Sequence, residues 1–430
     1  VTSPTRADPS VQPPLHPHPG LVIVVLCGAE VLTMVGVFAF ATLLPEFIAA
    51  WELTSTDAGW IGGIVFAGYA LAAPVLVALT DRVDARWVFM GGALVAGLAN
   101  LAFALLADGF WSALLLRALA GVGLAGTYMP GLRALVDRLA PSRRAAAVPL
   151  YTASFSLGSA GSYFIPGVVA DLAGWQTAFL VSGVTALAAV PLVLWLRPHS
   201  PEQPEGAPGA LLDFRPVLAS RAAMGYVLGY VAHMWELFTF RAWVVAFLGV
   251  ALAADSPSAN AWWSGSGLLA PGTVATLGAL VAMGCSIGGA RFAARRGRAY
   301  TIQVYMTLSA ALALAFGWTM ALPYPLVALL TLLYVGLIQL DSAALTTGAV
   351  ENAPRGRRGA TLAVHSLLGF GAAFLGPLVF GITLDWTGGH QTPLAWGVAF
   401  SLVAVIGAGG IPAIALARIP RDAERPDVDH

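Results

Sequence analysis

The stretch DRLAPSRR, Asp137 to Arg144, returns 214 residues later as ENAPRGRR, Glu351 to Arg358. Asp137 and Arg143 correspond to Glu351 and Arg357 at that offset, and the same offset carries Gly167, Asp171 and Gly174 onto Gly381, Asp385 and Gly388. Shortly after them come WQT in the first copy and HQT in the second. A constant offset held through two separate loops signals an internal duplication. The chain is therefore expected to be two halves built on one plan.

On either side of these loops the sequence is apolar. Of 430 residues, 58% are hydrophobic and 10% charged, with a mean hydropathy of +0.78; soluble domains carry roughly a quarter charged residues. Runs of about 20 apolar residues, enough to cross a bilayer, recur twelve times, at 21–46, 57–80, 86–107, 110–137, 144–171, 175–196, 221–249, 265–290, 299–319, 323–350, 358–384 and 392–417. The expected fold is an all-α integral membrane protein of twelve transmembrane helices in two six-helix pseudo-symmetric bundles. Residues 1–20 form an N-terminal tail expected to be disordered, 21–196 the first bundle, 197–220 a linker, 221–417 the second bundle and 418–430 a C-terminal tail. The Pro- and Gly-rich RPHSPEQPEGAPG at 197–209 reads as irregular. An even number of crossings per half gives both halves the same orientation.

The arginines set that orientation. Apart from Arg117 and Arg241, every arginine falls in the tails or in loops on one side of the twelve-span map, and the chain has no lysine. By the positive-inside rule both termini are cytoplasmic, and the inner (plasma) membrane is the expected location. The first twenty residues lack an apolar core followed by a cleavage site, so the first span is expected to be retained. Cys27 and Cys285 both lie at membrane depth, which argues against a structural disulfide. Balanced charge, 22 basic against 22 acidic residues, gives no basis for nucleic-acid binding. Trp262 and Trp263 beside an external loop read as interfacial anchors. Neither a cofactor nor a metal is expected, and the chain is expected to be a monomer.

The loop after the second span reads VALTDRVDAR, Val77 to Arg86, and its second-half copy reads ARFAARRGR, Ala290 to Arg298. The fourth span carries RALAGVG, Arg117 to Gly123. Across residues 20 to 418 the chain resembles the major facilitator superfamily, whose corresponding loop runs G-x-x-x-D-R-x-G-x-R and many of whose proton-coupled members have R-x-x-x-G-x-G in the fourth helix. Asp81, Arg82 and Arg86 match that loop, whereas Val77 and Asp84 replace its glycines. In the fifth span, GSAGSYFIPG, Gly158 to Gly167, is similar in place to the antiporter motif but lacks its Gly-Pro pair. The resemblance implies alternating access, a central cavity lined by spans 1, 4, 7 and 10, and a cytoplasmic gate of Asp81, Arg82, Arg86, Arg133 and Arg138. In that gate Asp81 latches onto an arginine such as Arg133 or Arg138.

Charge in a bilayer is costly unless it meets water or a partner. The groups at such depth are Glu30, Arg117, His233, Glu236, Arg241, Asp341 and His365. Glu30 and Glu236 lie roughly 14 and 23 Å beyond the cytoplasmic starts of equivalent spans, at about 1.5 Å per residue. With His233 and Asp341 they are the candidates for proton binding, since a poorly hydrated carboxylate holds its proton more readily. His233 and Glu236, three residues apart, share a helix face. Arg241 lies about 140° around the helix from Glu236. A guanidinium suits bidentate recognition of a carboxylate, so Arg241 and Arg117, with Trp235 nearby, are the candidate substrate-binding residues. The competing reading pairs Arg117 with Glu30 and Arg241 with Asp341 as structural ion pairs. His365 reads as a packing group.

These features point to a proton-coupled transporter of a small organic solute, an anion by preference, with the substrate, protons and the lipid bilayer as its partners. The alternative is an exporter of amphipathic or cationic compounds. A membrane enzyme or receptor on the same fold is a different class, for which no nucleophile triad or phosphate-binding loop is evident.

Overall fold

The computed structural model describes residues 18–201, 213–255 and 267–417. The two tails, most of the proline-rich linker, and Trp262 and Trp263 lie outside the described residues. Among the described residues the secondary structure is helical throughout, without strands.

The first half begins with α1 (Pro19–Met34), α2 (Ala39–Thr42), α3 (Leu44–Trp51) and α4 (Ser55–Leu79), followed by α5 (Ala85–Leu106) and α6 (Phe110–Asp137). It closes on α7 (Pro141–Leu194), a run of 54 residues, far too long for one crossing. Within α7 the helix is interrupted at Gly174, whose φ of 83° lies where only glycine is comfortable. Its repeat partner Gly388 has φ 114°. The duplicated glycine therefore marks the same reversal of direction in both halves. The second half holds α8 (Arg215–Ala219), α9 (Arg221–Ala254), α10 (Pro271–Arg296), α11 (Arg298–Phe316), α12 (Tyr324–Gln339), α13 (Ser342–Glu351), α14 (Arg358–Trp386), α15 (Pro393–Gly407) and α16 (Gly410–Leu416).

Ten of these stretches are long and apolar enough to cross a membrane. With α7 crossing twice and α1 to α3 acting as one interrupted span, the described residues make twelve crossings. Many large apolar side chains point outward, among them Leu71, Leu105, Trp111 and Leu172, as lipid-facing surfaces require.

Three spans read as continuous are broken, the twelfth of them between Gly407 and Gly410. The first unwinds between Met34 and Ala39, and the tenth between Gln339 and Ser342. Broken helices leave backbone carbonyls without partners, which is tolerated at membrane depth only where protein groups or a wet cavity satisfy them. The linker region ends in one short helix, α8, beyond the stretch 197–209 that was expected to be irregular.

The halves meet along two seams. On one, α4 packs against α14; on the other, α7 packs against α10. The α4–α14 seam is a backbone contact. A Cβ placed on Gly59 would lie 2.5 Å from the Pro377 carbonyl oxygen, and one on Gly63 would lie 2.5 Å from that of Phe374.

Candidate functional site

Between the halves lies a cavity of about 470 Å³. Its rim residues Thr152, Ala290, Thr347 and Leu362 are exposed, and they sit near Arg144, Arg291, Glu351 and Arg358. Its deep wall, Phe238 and Arg241, is buried. The cavity therefore opens toward the arginine-rich end of the bundle and is closed at the other.

Helix α9 sets the deep wall. Tyr230, Met234, Leu237 and Arg241 all line the cavity, and their spacings of four, three and four residues place them on one face of a helix. The Arg241 guanidinium lies 5.4 Å from the ring centres of both Phe38 and Phe238. Among the described residues no acid forms an ion pair with it. Cation–π contacts orient such a group without neutralising it. The backbone carbonyl of Arg241 accepts a hydrogen bond from the Tyr163 hydroxyl at 2.8 Å, tying α9 to α7 across the halves.

The competing reading, in which Arg241 pairs with Asp341, is not what the structure shows. Asp341, at the break between α12 and α13, lies 2.7 Å from His233 Nδ1. Both are nearly fully buried, and His233 also lines the cavity. Asp341 thus has a titratable partner that also borders the cavity.

Arg117 does not pair with Glu30. Its two terminal nitrogens donate to the carbonyls of Gly36 at 2.8 Å and Val37 at 2.5 Å. These carbonyls belong to the unwound segment of the first span, and the Phe38 amide in the same segment donates to Ser162 Oγ at 2.6 Å. Arg117 therefore satisfies the broken helix instead of facing substrate, and it does not line the cavity.

Glu30 accepts a short hydrogen bond from Ser154 Oγ. Glu236 accepts one from Ser309 Oγ at 3.1 Å and faces Gly407 on α15. Both acids are buried between helices of their own half and do not line the cavity. Trp235 also misses it; its backbone packs against Gly376 of α14. His365, read from sequence as a packing group, does line the cavity, stacked on Tyr230 with ring centres 3.7 Å apart.

At the arginine-rich end, Asp81 lies 3.4 Å from Arg133, which also binds Asp137 at 2.9 Å. Arg82 is exposed. Arg86 and Arg138 are not partners of Asp81; both converge on Asp84, at 3.1 and 2.8 Å. Asp84 also accepts from the His199 amide at 2.8 Å, and Arg86 donates to the Leu196 carbonyl. Asp84 thus joins the start of α5, the end of α6 and the exit of the first bundle. Its only sequence signal was the replacement of a family glycine by an acid.

The opposite end is closed by a residue to which no role had been assigned. Asp385, near the end of α14, accepts from the Ser55 amide at 3.0 Å and from the Thr56 amide and hydroxyl at 2.7 Å each. The first turn of a helix leaves its amides without intrahelical partners. In α4 a capping box between Thr54 and Asp57 takes one, and Asp385 takes two more from the other half.

Twelve crossings in two like bundles, with a largely apolar cavity that carries a few polar groups between them, define a paired-bundle membrane protein. The chain belongs to the Major Facilitator Superfamily, whose family profile matches residues 26–377. It is 27% identical over 244 residues to protein spinster homolog 1 of Bos taurus, a match covering 54% of this chain and 46% of that protein. It is 36% identical over 152 residues to the 3-(3-hydroxy-phenyl)propionate transporter of Escherichia coli K12, covering 35% of this chain and 37% of the relative. The matched region thus spans about half the length, or less, of these curated relatives. The fold is similar to the crystal structure of a bacterial homologue of the human lysosomal transporter Spinster in an inward-facing and unoccupied conformation. That similarity has a TM-score of 0.69 and 16% identity over 93% of this chain and 95% of the other.

Proposed function

We propose that the protein is a proton-coupled transporter that carries a small organic anion, an aromatic carboxylate by preference, across the membrane by alternating access. The observation that carries this reading is Arg241, a buried guanidinium at the deep wall of the cavity with aromatic flanks and no ion-pair partner among the described residues. A permanent cation so placed needs an anion to balance it, and a carboxylate fits its fork bidentately. Phe38 and Phe238 supply apolar walls for an aromatic body. The relative named for 3-(3-hydroxy-phenyl)propionate supports the same substrate class.

For the proton, the geometry favours His233 and Asp341 over Glu30 and Glu236, because His233 touches both the cavity and the acid. By the positive-inside reading both termini and the cavity mouth lie on the cytoplasmic side. Loading from that side would be followed by closure there and release of the Asp385 contact opposite.

Counterflow of labelled 3-phenylpropionate in proteoliposomes tests the reading. We expect exchange with the native protein and its loss in Arg241→Ala. Full exchange in that variant overturns the anion assignment. Exchange confined to cationic amphiphiles favours the exporter alternative.

A further inference from the structure

Arg241 borders a second space. A void of about 10 Å³, roughly room for one water molecule, is lined by Tyr163, Arg241, Val244, Ala275, Ala279 and Thr331 among others. Val244 lies nearly a turn beyond Arg241 on α9, so the void is on the side of Arg241 away from the cavity mouth. Among the described residues Arg241 alone lines both the void and the cavity. It is therefore the partition between them.

The void continues the line of the cavity. On α10, Ala275 and Ala279 line the void and Met283, Ser286 and Ala290 the cavity. Their steps of four, four, three and four residues keep to one helix face. On α12, Thr331 and Val335 line the void and Gln339 the cavity, again four apart. On α9 the sequence is Leu237 in the cavity, Arg241 in both and Val244 in the void. Three helices of the second half thus present a single track to both spaces, interrupted at Arg241.

The first half contributes Tyr163 to the void. Besides the bond from its hydroxyl to the Arg241 carbonyl, its ring is stacked on Phe38, with centres 5.2 Å apart. The seam at this point has slack. A Cβ on Gly272 of α10 would meet nothing nearer than 3.9 Å, with the Tyr163 carbonyl oxygen at 4.0 Å, whereas one on Gly59 would lie 2.5 Å from the Pro377 carbonyl oxygen. Among the described residues, those of α4 line neither space.

We propose that the track past Ala279 and Ala275 is the outer leg of the solute's route, and that Tyr163 is its gate. The assignment rests on the alternating-access reading of Arg241. An anion leaving Arg241 outward passes between α7 and α10, where the α10 wall is alanine and glycine, once the Tyr163 hydroxyl has released the Arg241 carbonyl. A neutral hydrogen bond of this kind has a small net worth, because water takes its place when the gate opens. The α4–α14 seam, in backbone contact, leaves a solute no comparable width.

A thiol at position 275 tests this. Ala275→Cys in the otherwise native full chain, in proteoliposomes, is treated with an anionic and a cationic methanethiosulfonate, and labelling at that position is read by peptide mass spectrometry. The ratio of anionic to cationic rates should fall about fivefold when Arg241→Gln removes the fixed charge. Arg241→Met makes the same comparison if the glutamine variant does not fold. Tyr163→Phe, which keeps the stack on Phe38, should raise both rates about fivefold, and saturating 3-phenylpropionate should slow the anionic reagent. A thiol that stays unreactive even with Tyr163→Phe, or whose rate ratio ignores the loss of Arg241, overturns the route. Rates unchanged by Tyr163→Phe overturn the gate. Either result leaves the counterflow test of the anion reading intact. Reactivity that follows Arg241 and Tyr163 but is indifferent to 3-phenylpropionate keeps the route and counts against the anion reading alone.

Discussion

Asp385 accepts hydrogen bonds from the amide and hydroxyl of Thr56, both at 2.7 Å, across the boundary between the two halves. The contact seals the end of the bundle away from the cavity mouth, so the conformation open on that side must break it. Charge-assisted bonds to helix amides contribute about 1.5–3 kcal/mol each. Asp385→Ala should therefore favour the opposite opening by roughly tenfold or more. A cysteine at Gly62, which faces Ala242 of α9 in the other half, should react with a maleimide faster in the Asp385→Ala background. Equal labelling rates would show that the contact does not hold the seam closed.

Arg117 and Glu30 occupy neighbouring spans but satisfy different groups, namely two carbonyls and a serine. Arg117→Met should lower thermal stability sharply, by about 3 kcal/mol, because it leaves two buried carbonyls unpaired. Combined with Glu30→Gln, the two effects should add within about 0.5 kcal/mol. A larger coupling energy would mean that the two residues do interact.

Asp84 stands where the family has glycine, so Asp84→Gly restores the family pattern. The prediction is nevertheless damage. The substitution removes the acid shared by two buried arginines, at a cost of about 3–5 kcal/mol. Thermal unfolding of the purified variant measures this, and native-like stability would refute the role given to Asp84.

His233 and Asp341 give the coupling proposal its own test. Asp341→Asn should keep counterflow, which needs no net proton movement, and lose accumulation driven by a pH gradient. Glu236→Gln should retain a substantial part of both. The reverse pattern would move the coupling site to Glu236.

Sequence alone carried the twelve spans, the duplication and the one-sided arginines, because each rests on chemistry that repeats along the chain. The azimuth of each buried charge was harder to read. Surface helices of soluble proteins reveal their inner face by an apolar stripe, whereas α9 is apolar on nearly every side, and Glu236 and Arg241 both read simply as charge at depth. Their separation of about 140° was available from spacing; it implied that only one of them could line the cavity, and only the packing of α11 and α15 shows which. The break in the first span carries no proline, and its position follows from Arg117, a residue some eighty positions away. Asp385 was visible as a member of the repeat. Its role was not, since its counterpart Asp171 is exposed and makes no such contact among the described residues.

The glycines of the α4–α14 seam have one further consequence. Where two helices touch through bare backbone, the joint has no side chains to repack and no rotamers to absorb a misfit, so it behaves as a gauge with a single setting. Adding one methyl at Gly59 would act as a doorstop, holding the outer end ajar without deleting any polar group. The seam would thus discriminate between conformations by thickness alone, and its tolerance is smaller than the width of a carbon atom.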